Sequence, residues 1–369
     1  MSFRALAAAA AAALLLCAGG PAPAPARPAR MISVWLPYWS MAAAGSSTLA
    51  HASQIGTASP FWYAVSASGM VVPEQGAGNA ALVSALRARG MAVVPTVTES
   101  AGLQQFDKML SSPSRRAAVV AALIDIVRQG AYAGLDLDFE QFAIDPSDNQ
   151  AAAGAAARGY PTFVAEVCRA LHSLDRSCTV TVMARTSNAH VLWRGRFATW
   201  VYDYTALGAI ADRIRIMAYD EHAPDTTPGP VAPYAWVRSV VDYARGAVAP
   251  SKVELGIAAF GYIWNPATIG SSTPGSQASD EQPTAENTFT AAEAGSLAAA
   301  HHTTPEWSAG AAEERISFGP SGRPTTAWYE DARAELMRAR LAFSAGFAGV
   351  VLWAAGDETP SFWTGMTTL

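Results

Sequence analysis

The sequence predicts an α/β protein folded as one (β/α)8 barrel of the TIM type, with a small α+β insertion between strands 7 and 8. Three observations lead there: apolar β-branched segments recur eight times, amphipathic helical patterns separate them, and 369 residues are ample for one large core. The eight segments are "ISVWLPYW" (32–39), "FWYAVS" (61–66), "AVVPTVT" (92–98), "GLDLDFE" (134–140), "TVTVMAR" (179–185), "RIRIMAYD" (213–220), "VELGIAAFGY" (253–262) and "FAGVVLWA" (347–354). Strands alternating with helices pair in parallel, and no strand is followed by a glycine-rich dinucleotide or phosphate loop, which argues against an open doubly wound sheet.

The helices between the strands have readable signals. "NAALVSALRARG", "SRRAAVVAALIDIVRQG", "YPTFVAEVCRALHSL" and "YEDARAELMRARLAFSAG" place apolar residues at helical spacing. In the last, Glu330 and Asp331 stand at the start and arginines further along, the polarity that a helix dipole favours. Residues 265–327 break the alternation with a Ser-, Thr-, Gly- and Pro-rich stretch, a short helix and an apparent hairpin. So long a segment without structure would be unusual, which makes it an insertion subdomain of a barrel spanning 31–369.

The first 30 residues read as export machinery. Arg4, an apolar core of about a dozen residues and small residues after it form a signal peptide over 1–20; the core is too short for a transmembrane helix. "GPAPAPARPAR" follows as a linker over 21–30. The expected location is therefore extracellular, with a lipoprotein anchor at Cys17 as the alternative, although Leu16 occupies the place of a small residue. In an oxidising compartment Cys168 and Cys178 form an even pair, a disulfide between a helix and the next strand, or else two buried thiols.

A formal net charge of −5 without clusters of Lys or Arg leaves no footprint for nucleic acid. His301 and His302 are adjacent, but no metal-ligand spacing of His or Cys occurs, so neither metal nor cofactor is expected.

The chemistry concentrates in "GLDLDFEQF", where Asp136, Asp138 and Glu140 alternate with apolar residues. Alternation puts all three acids on one face of a strand, toward the barrel interior, with Glu140 nearest the rim. Carboxylates buried together must share protons or find donors, and an acid kept protonated in a cleft suits cleavage of a glycosidic bond. A solvated edge strand or a divalent-cation site would also use such a face. Arg215 shares the parity of Met217 and Tyr219, so it is expected inside the barrel beneath Asp136, offsetting the clustered acids. Aromatic residues on or after strands, among them Tyr38, Trp264 and Trp353, could stack on sugar rings or merely fill the core.

At this point the sequence resembles a known family. "AGLDLDFE" is similar to the strand-four D-G-x-D-x-D-x-E motif of family-18 glycoside hydrolases, a set of chitinases and bacterial peptidoglycan-cleaving enzymes. "IMAYDEH" (216–222), "LGIAAFGYIW" (255–264) and "GVVLWAAGDE" (349–358) resemble its strand-six, strand-seven and strand-eight motifs, in the spore-germination-type branch. The resemblance implies Glu140 as general acid, Asp138 orienting the substrate's 2-acetamido group and Tyr219 holding its carbonyl oxygen. It further implies Asp136 as partner of Asp138, Trp353 as the floor of the −1 subsite, and Asp220 and Met217 beside the sugar; Tyr38 and Trp264, outside that carry-over, are read as further sugar contacts from their rings at strand ends. A monomeric retaining hydrolase of N-acetylglucosamine-containing polysaccharide is thus expected, with a non-catalytic glycan-binding barrel as the alternative. Two departures stand out: Ala133 replaces the family's first Asp, and "VPTVTES" replaces the S-x-G-G of chitinases on strand three.

Overall fold

A computed structural model describes residues 31–144, 150–195, 197–266 and 287–369. The predicted signal peptide, linker, Cys17 and the first part of the insertion lie outside the described residues. The barrel strands are β1 (Met31–Leu36), β2 (Thr57–Val65), β3 (Thr96–Glu99), β4 (Gly134–Asp138), β5 (Ser177–Met183), β6 (Arg213–Met217), β7 (Val253–Ala258) and β8 (Gly349–Trp353). Each pairs in parallel with the next, and β1 pairs with both β2 and β8, so the sheet closes. Among the described residues no helix is long and apolar enough to cross a membrane.

Some elements differ from the sequence expectation for physical reasons. The helix expected from Tyr160 begins earlier and spans Gln150–His172 with Pro161 inside it, because the alanine-rich stretch ahead of Tyr160 is itself a strong helix former. The expected seventh strand is two strands. β7 ends at Ala258, and Phe260–Trp264 leaves the barrel to pair antiparallel with Thr288–Thr290 and Thr325–Tyr329. Together with Glu306–Ser308 and Glu313–Phe318 they form a five-stranded antiparallel sheet standing on the strand ends. A disulfide joins Cys168 on the long helix to Cys178 on β5.

The barrel interior holds an ion cluster. Asp136, fully buried, accepts hydrogen bonds from the Trp35 indole (2.9 Å), the Thr96 hydroxyl (3.1 Å), the Thr181 hydroxyl (2.8 Å) and the Arg215 guanidinium (2.8 Å). Arg215 also donates to Glu254 on β7 at 2.8 Å and to the Ser59 hydroxyl at 2.8 Å. Burial works against the charge on this guanidinium, but the carboxylates of Asp136 and Glu254 outweigh it and raise its proton affinity above the ordinary arginine value. Strand parity therefore places Arg215 correctly, and the cluster links β1, β2, β3, β4, β5, β6 and β7 across the barrel.

A second buried cluster fastens the insertion. Arg338, on the helix Ala332–Ser344, bonds to Glu313 at 3.2 Å, to Glu330 at 2.5 Å and to the carbonyls of Ala232 and Ala312. Glu313 accepts the backbone N–H groups of Val231 and Ala232, in the loop after β6. Asp331 caps the helix by accepting the Ala334 N–H at 2.9 Å, whereas Glu330, read from the sequence as a dipole partner, is instead buried against Arg338. One cation serves several acids here. Burial, only partly countered by Arg338, pushes Glu330 up to about 8, and burial and Glu330 push Glu335 well above the carboxylate range.

Two consequences can be measured. Arg215→Leu leaves Asp136 and Glu254 buried without their cation and should cost about 3–5 kcal/mol in denaturant unfolding. The proton held by Glu330 contributes stability that is complete below its unfolded value of 4.5 and is lost as pH rises through about 8. The thermal midpoint should therefore fall between about pH 4.5 and about pH 8, and Glu330→Gln should flatten that fall in circular-dichroism melts.

Candidate active site

β4 carries the acids upward through the barrel. Leu135, Leu137 and Phe139 are fully buried on its outer face, where Phe139 packs on Tyr160 and Phe163 of the long helix. The alternate residues therefore point inward. Asp136 lies in the ion cluster, Asp138 is one step higher and 3% exposed, and Glu140 is half-buried just beyond the strand end. That gradient of exposure runs from a structural carboxylate to one that a substrate can reach.

β6 supplies the opposing wall. Met217, its last residue, is half-buried, and Tyr219 just beyond is 5% exposed. The Tyr219 hydroxyl is held well above the ordinary tyrosine value first by burial, then by the charges of Asp220, Asp138 and Glu140. Those acids thus lie near enough to act on its charge, and the phenol remains a hydrogen-bond donor across the physiological range. The ring has room only because position 256 on β7 is glycine: a Cβ there would lie 2.6 Å from the Ile216 carbonyl and 3.1 Å from Tyr219 Cε1.

Asp220 has a left-handed backbone (φ 66°) and is held on two sides. The Tyr262 hydroxyl donates to its carboxylate at 2.9 Å, and Arg194, from the loop after β5, donates to its carbonyl at 3.0 Å. Burial raises its pKa, while Arg194 and the Tyr262 hydrogen bond oppose that rise. Arg194 also pairs with Asp225, so the loops after β5 and β6 are tied together. Next to them, Glu221 accepts the Trp193 indole N–H at 2.8 Å.

At the end of β8, Trp353 is half-buried, with Trp35 (5.7 Å), Trp39 (6.1 Å) and Phe61 (4.9 Å) packed edge-on against it. The peptide bond that follows it is cis. Tyr38 is half-buried after β1, edge-on to Trp39. Trp264 differs from its expected place at a sugar-binding rim. It is 2% exposed, and its indole N–H donates to the carbonyls of Ala223 (3.2 Å) and Thr226 (3.1 Å), so its ring anchors the insertion sheet to the loop after β6.

Of the residues singled out in the sequence, Asp138, Glu140, Tyr219, Asp220 and Trp353 lie at one end of the barrel, with Asp136 beneath them in the interior cluster. Sequence reading missed Glu254, Arg194 and Glu99, and it took Tyr262 as an aromatic residue for a glycan groove or the core, not as the partner of Asp220. The first had a signal, since a lone acid on an otherwise apolar inward-facing strand needs a cation just as Arg215 needs an anion. Arg194 and Tyr262 come from segments whose approach depends on tertiary structure.

Comparison with known proteins agrees with this geometry. The sequence pattern of "Glycosyl hydrolases family 18" matches residues 78–358. An "Uncharacterized glycosylase YvbX" of Bacillus subtilis is 26% identical over 257 residues, 69% of this chain and 67% of that protein. A "Cortical fragment-lytic enzyme" of the same species is 23% identical over 69% of this chain, the match covering only 54% of its own length. Among solved structures, a chitinase from Chromobacterium violaceum superposes with a TM-score of 0.76 at 24% identity, covering 92% of this chain and 98% of that one. The spore cortex-lytic enzyme SleL of Bacillus megaterium gives 0.73 at 18%, covering 93% and 74%. With closed barrel, clustered acids and matched sequence in agreement, the chain belongs to glycosyl hydrolase family 18 and is a glycosidase.

Proposed function

We propose that the protein is an exported retaining hydrolase of β-1,4-linked N-acetylglucosamine-containing glycans, and that the substrate's own 2-acetamido group acts as nucleophile. The observation that carries this reading is the placement of Asp138 and Glu140 on the inward side of β4 and at its end, with the buried Tyr219 just beyond β6 near enough to feel both charges. Glu140 would donate its proton to the glycosidic oxygen as the C–O bond breaks. Meanwhile the acetamido carbonyl oxygen bonds to the anomeric carbon, giving an oxazolinium ion and a neutral leaving alcohol. Asp138 would hold the amide N–H and balance the positive charge that develops on it. The Tyr219 hydroxyl would fix the carbonyl oxygen, and Trp353 would offer ring surface beneath the sugar. Glu140, now a carboxylate, would then take a proton from the water that opens the oxazolinium ion, so that configuration is retained. No second carboxylate nucleophile is needed in this class.

Relatives named for cortex lysis and the absence of the S-x-G-G strand-three pattern favour peptidoglycan over chitin. Export rests on the leader sequence, with support from the Cys168–Cys178 disulfide, a bond at home in an oxidising compartment.

The test compares wild type and Glu140→Gln on purified peptidoglycan and on chitooligosaccharides, with products identified by mass and anomeric configuration by proton NMR. Removing the acid should lower kcat by about 10²–10⁴-fold. Glycans lacking the 2-acetamido group should remain uncut. Their cleavage, or equal activity of the two proteins, sinks the mechanism.

A further inference from the structure

We infer that Glu99 and Tyr202 are positioning residues that clamp the backbone on either side of Glu140; the inference rests on Glu140 being the acid, as proposed above. Glu99, at the end of β3, is 1% exposed, an expensive place for a carboxylate. Its two oxygens accept backbone N–H groups, that of Phe142 at 2.6 Å and that of Ala101 at 2.9 Å. Tyr202, fully buried in the loop after β5, donates its hydroxyl to the Phe139 carbonyl at 2.7 Å.

Glu140 lies between these two attachments. It heads the single 3-10 turn Gln141–Ala143 directly after β4, outside the ladder that fixes Asp136 and Asp138. Strand hydrogen bonds stop at Asp138, so the acid two residues further on would otherwise ride on a short turn. With the carbonyl before it and the amide two residues after it both held, its Cα is fixed from the end of β3 and from the loop after β5. The clamp is also dry. Phe142 packs on Phe106 (4.7 Å), Tyr160 (5.0 Å) and Tyr202 (5.4 Å), so water does not compete for its N–H. Burial, followed by the charge of Glu140, holds the Tyr202 phenol well above its ordinary pKa, which keeps it a donor throughout the working range.

The alternative for Glu99 is a structural one, since Ala101 begins the helix Gly102–Leu110 and a carboxylate there also stabilises that helix end. The two roles separate kinetically. A structural residue alters the amount of folded enzyme. A positioning residue lowers kcat per folded molecule, because displacement of the acid weakens the transition state far more than substrate binding.

The experiment measures kcat and KM of Glu99→Gln and Tyr202→Phe on peptidoglycan fragments and chitooligosaccharides, normalised to folded protein, beside wild type and Glu140→Gln. Hydrogen exchange at the Phe142 amide is followed in parallel. Each variant should lose about tenfold in kcat with KM changed less than about twofold, and Phe142 should exchange faster in Glu99→Gln. Should Glu99→Gln fail to fold, Tyr202→Phe, which keeps the packed ring, carries the test. Variants matching wild-type kcat, or losing activity through KM alone, overturn the clamp while leaving the glycosidase reading intact. A wild type that cuts neither glycan removes that reading and the clamp's catalytic role with it.

Discussion

The structure turns on the ion pair between Arg215 and Asp136 in the middle of the barrel. Neither group could be buried alone, because desolvating a single charge costs more than the fold could supply. Paired, and supplemented by Glu254, Ser59, Trp35, Thr96 and Thr181, they occupy the interior where most barrels put branched aliphatic side chains. The polar core carries a function upward. It ties β4 to its neighbours beneath Asp138, the last residue of the strand, while Glu140 beyond the strand end takes its support from Glu99 and Tyr202.

Above that layer, exposure rises while backbone support declines. Asp136 and Asp138 sit within a regular strand, whereas Glu140, Tyr219 and Asp220 lie just past strand ends, where side chains from adjoining loops replace the ladder. The pattern suits a site that must admit a polymer yet hold its groups to fractions of an ångström. Tyr262 and Arg194 serve Asp220, and the Gly256 position leaves space for the Tyr219 ring.

Much of this was legible in the sequence wherever a residue violated the local rule. Three acids in an apolar strand and one arginine on a buried strand face are exceptions that demand partners, and parity alone said which way they point. What stayed hidden followed its local rule. The apolar run through Phe260 and Trp264 looks the same whether it stays in the barrel or leaves it, so the break at Ala259 and the burial of Trp264 could not be read. Glu99 and Glu330 sit beside turn or helix-start signals, where an acid is ordinary. Only the packed structure shows one beneath the turn that bears Glu140 and the other sealed against Arg338.

The departure of Phe260–Trp264 from the barrel has a mechanical consequence. Ala259 is the single residue between β7 and the strand that threads the antiparallel sheet, and it is bonded on both sides, donating to the Trp353 carbonyl and accepting from the Ala291 N–H. The described part of that sheet is thus a cantilever cast in one piece with the barrel rather than a flap on a hinge. The residues at the end of β7 and those of the sheet therefore share one continuous backbone through Ala259, with a hydrogen bond on each side of that joint.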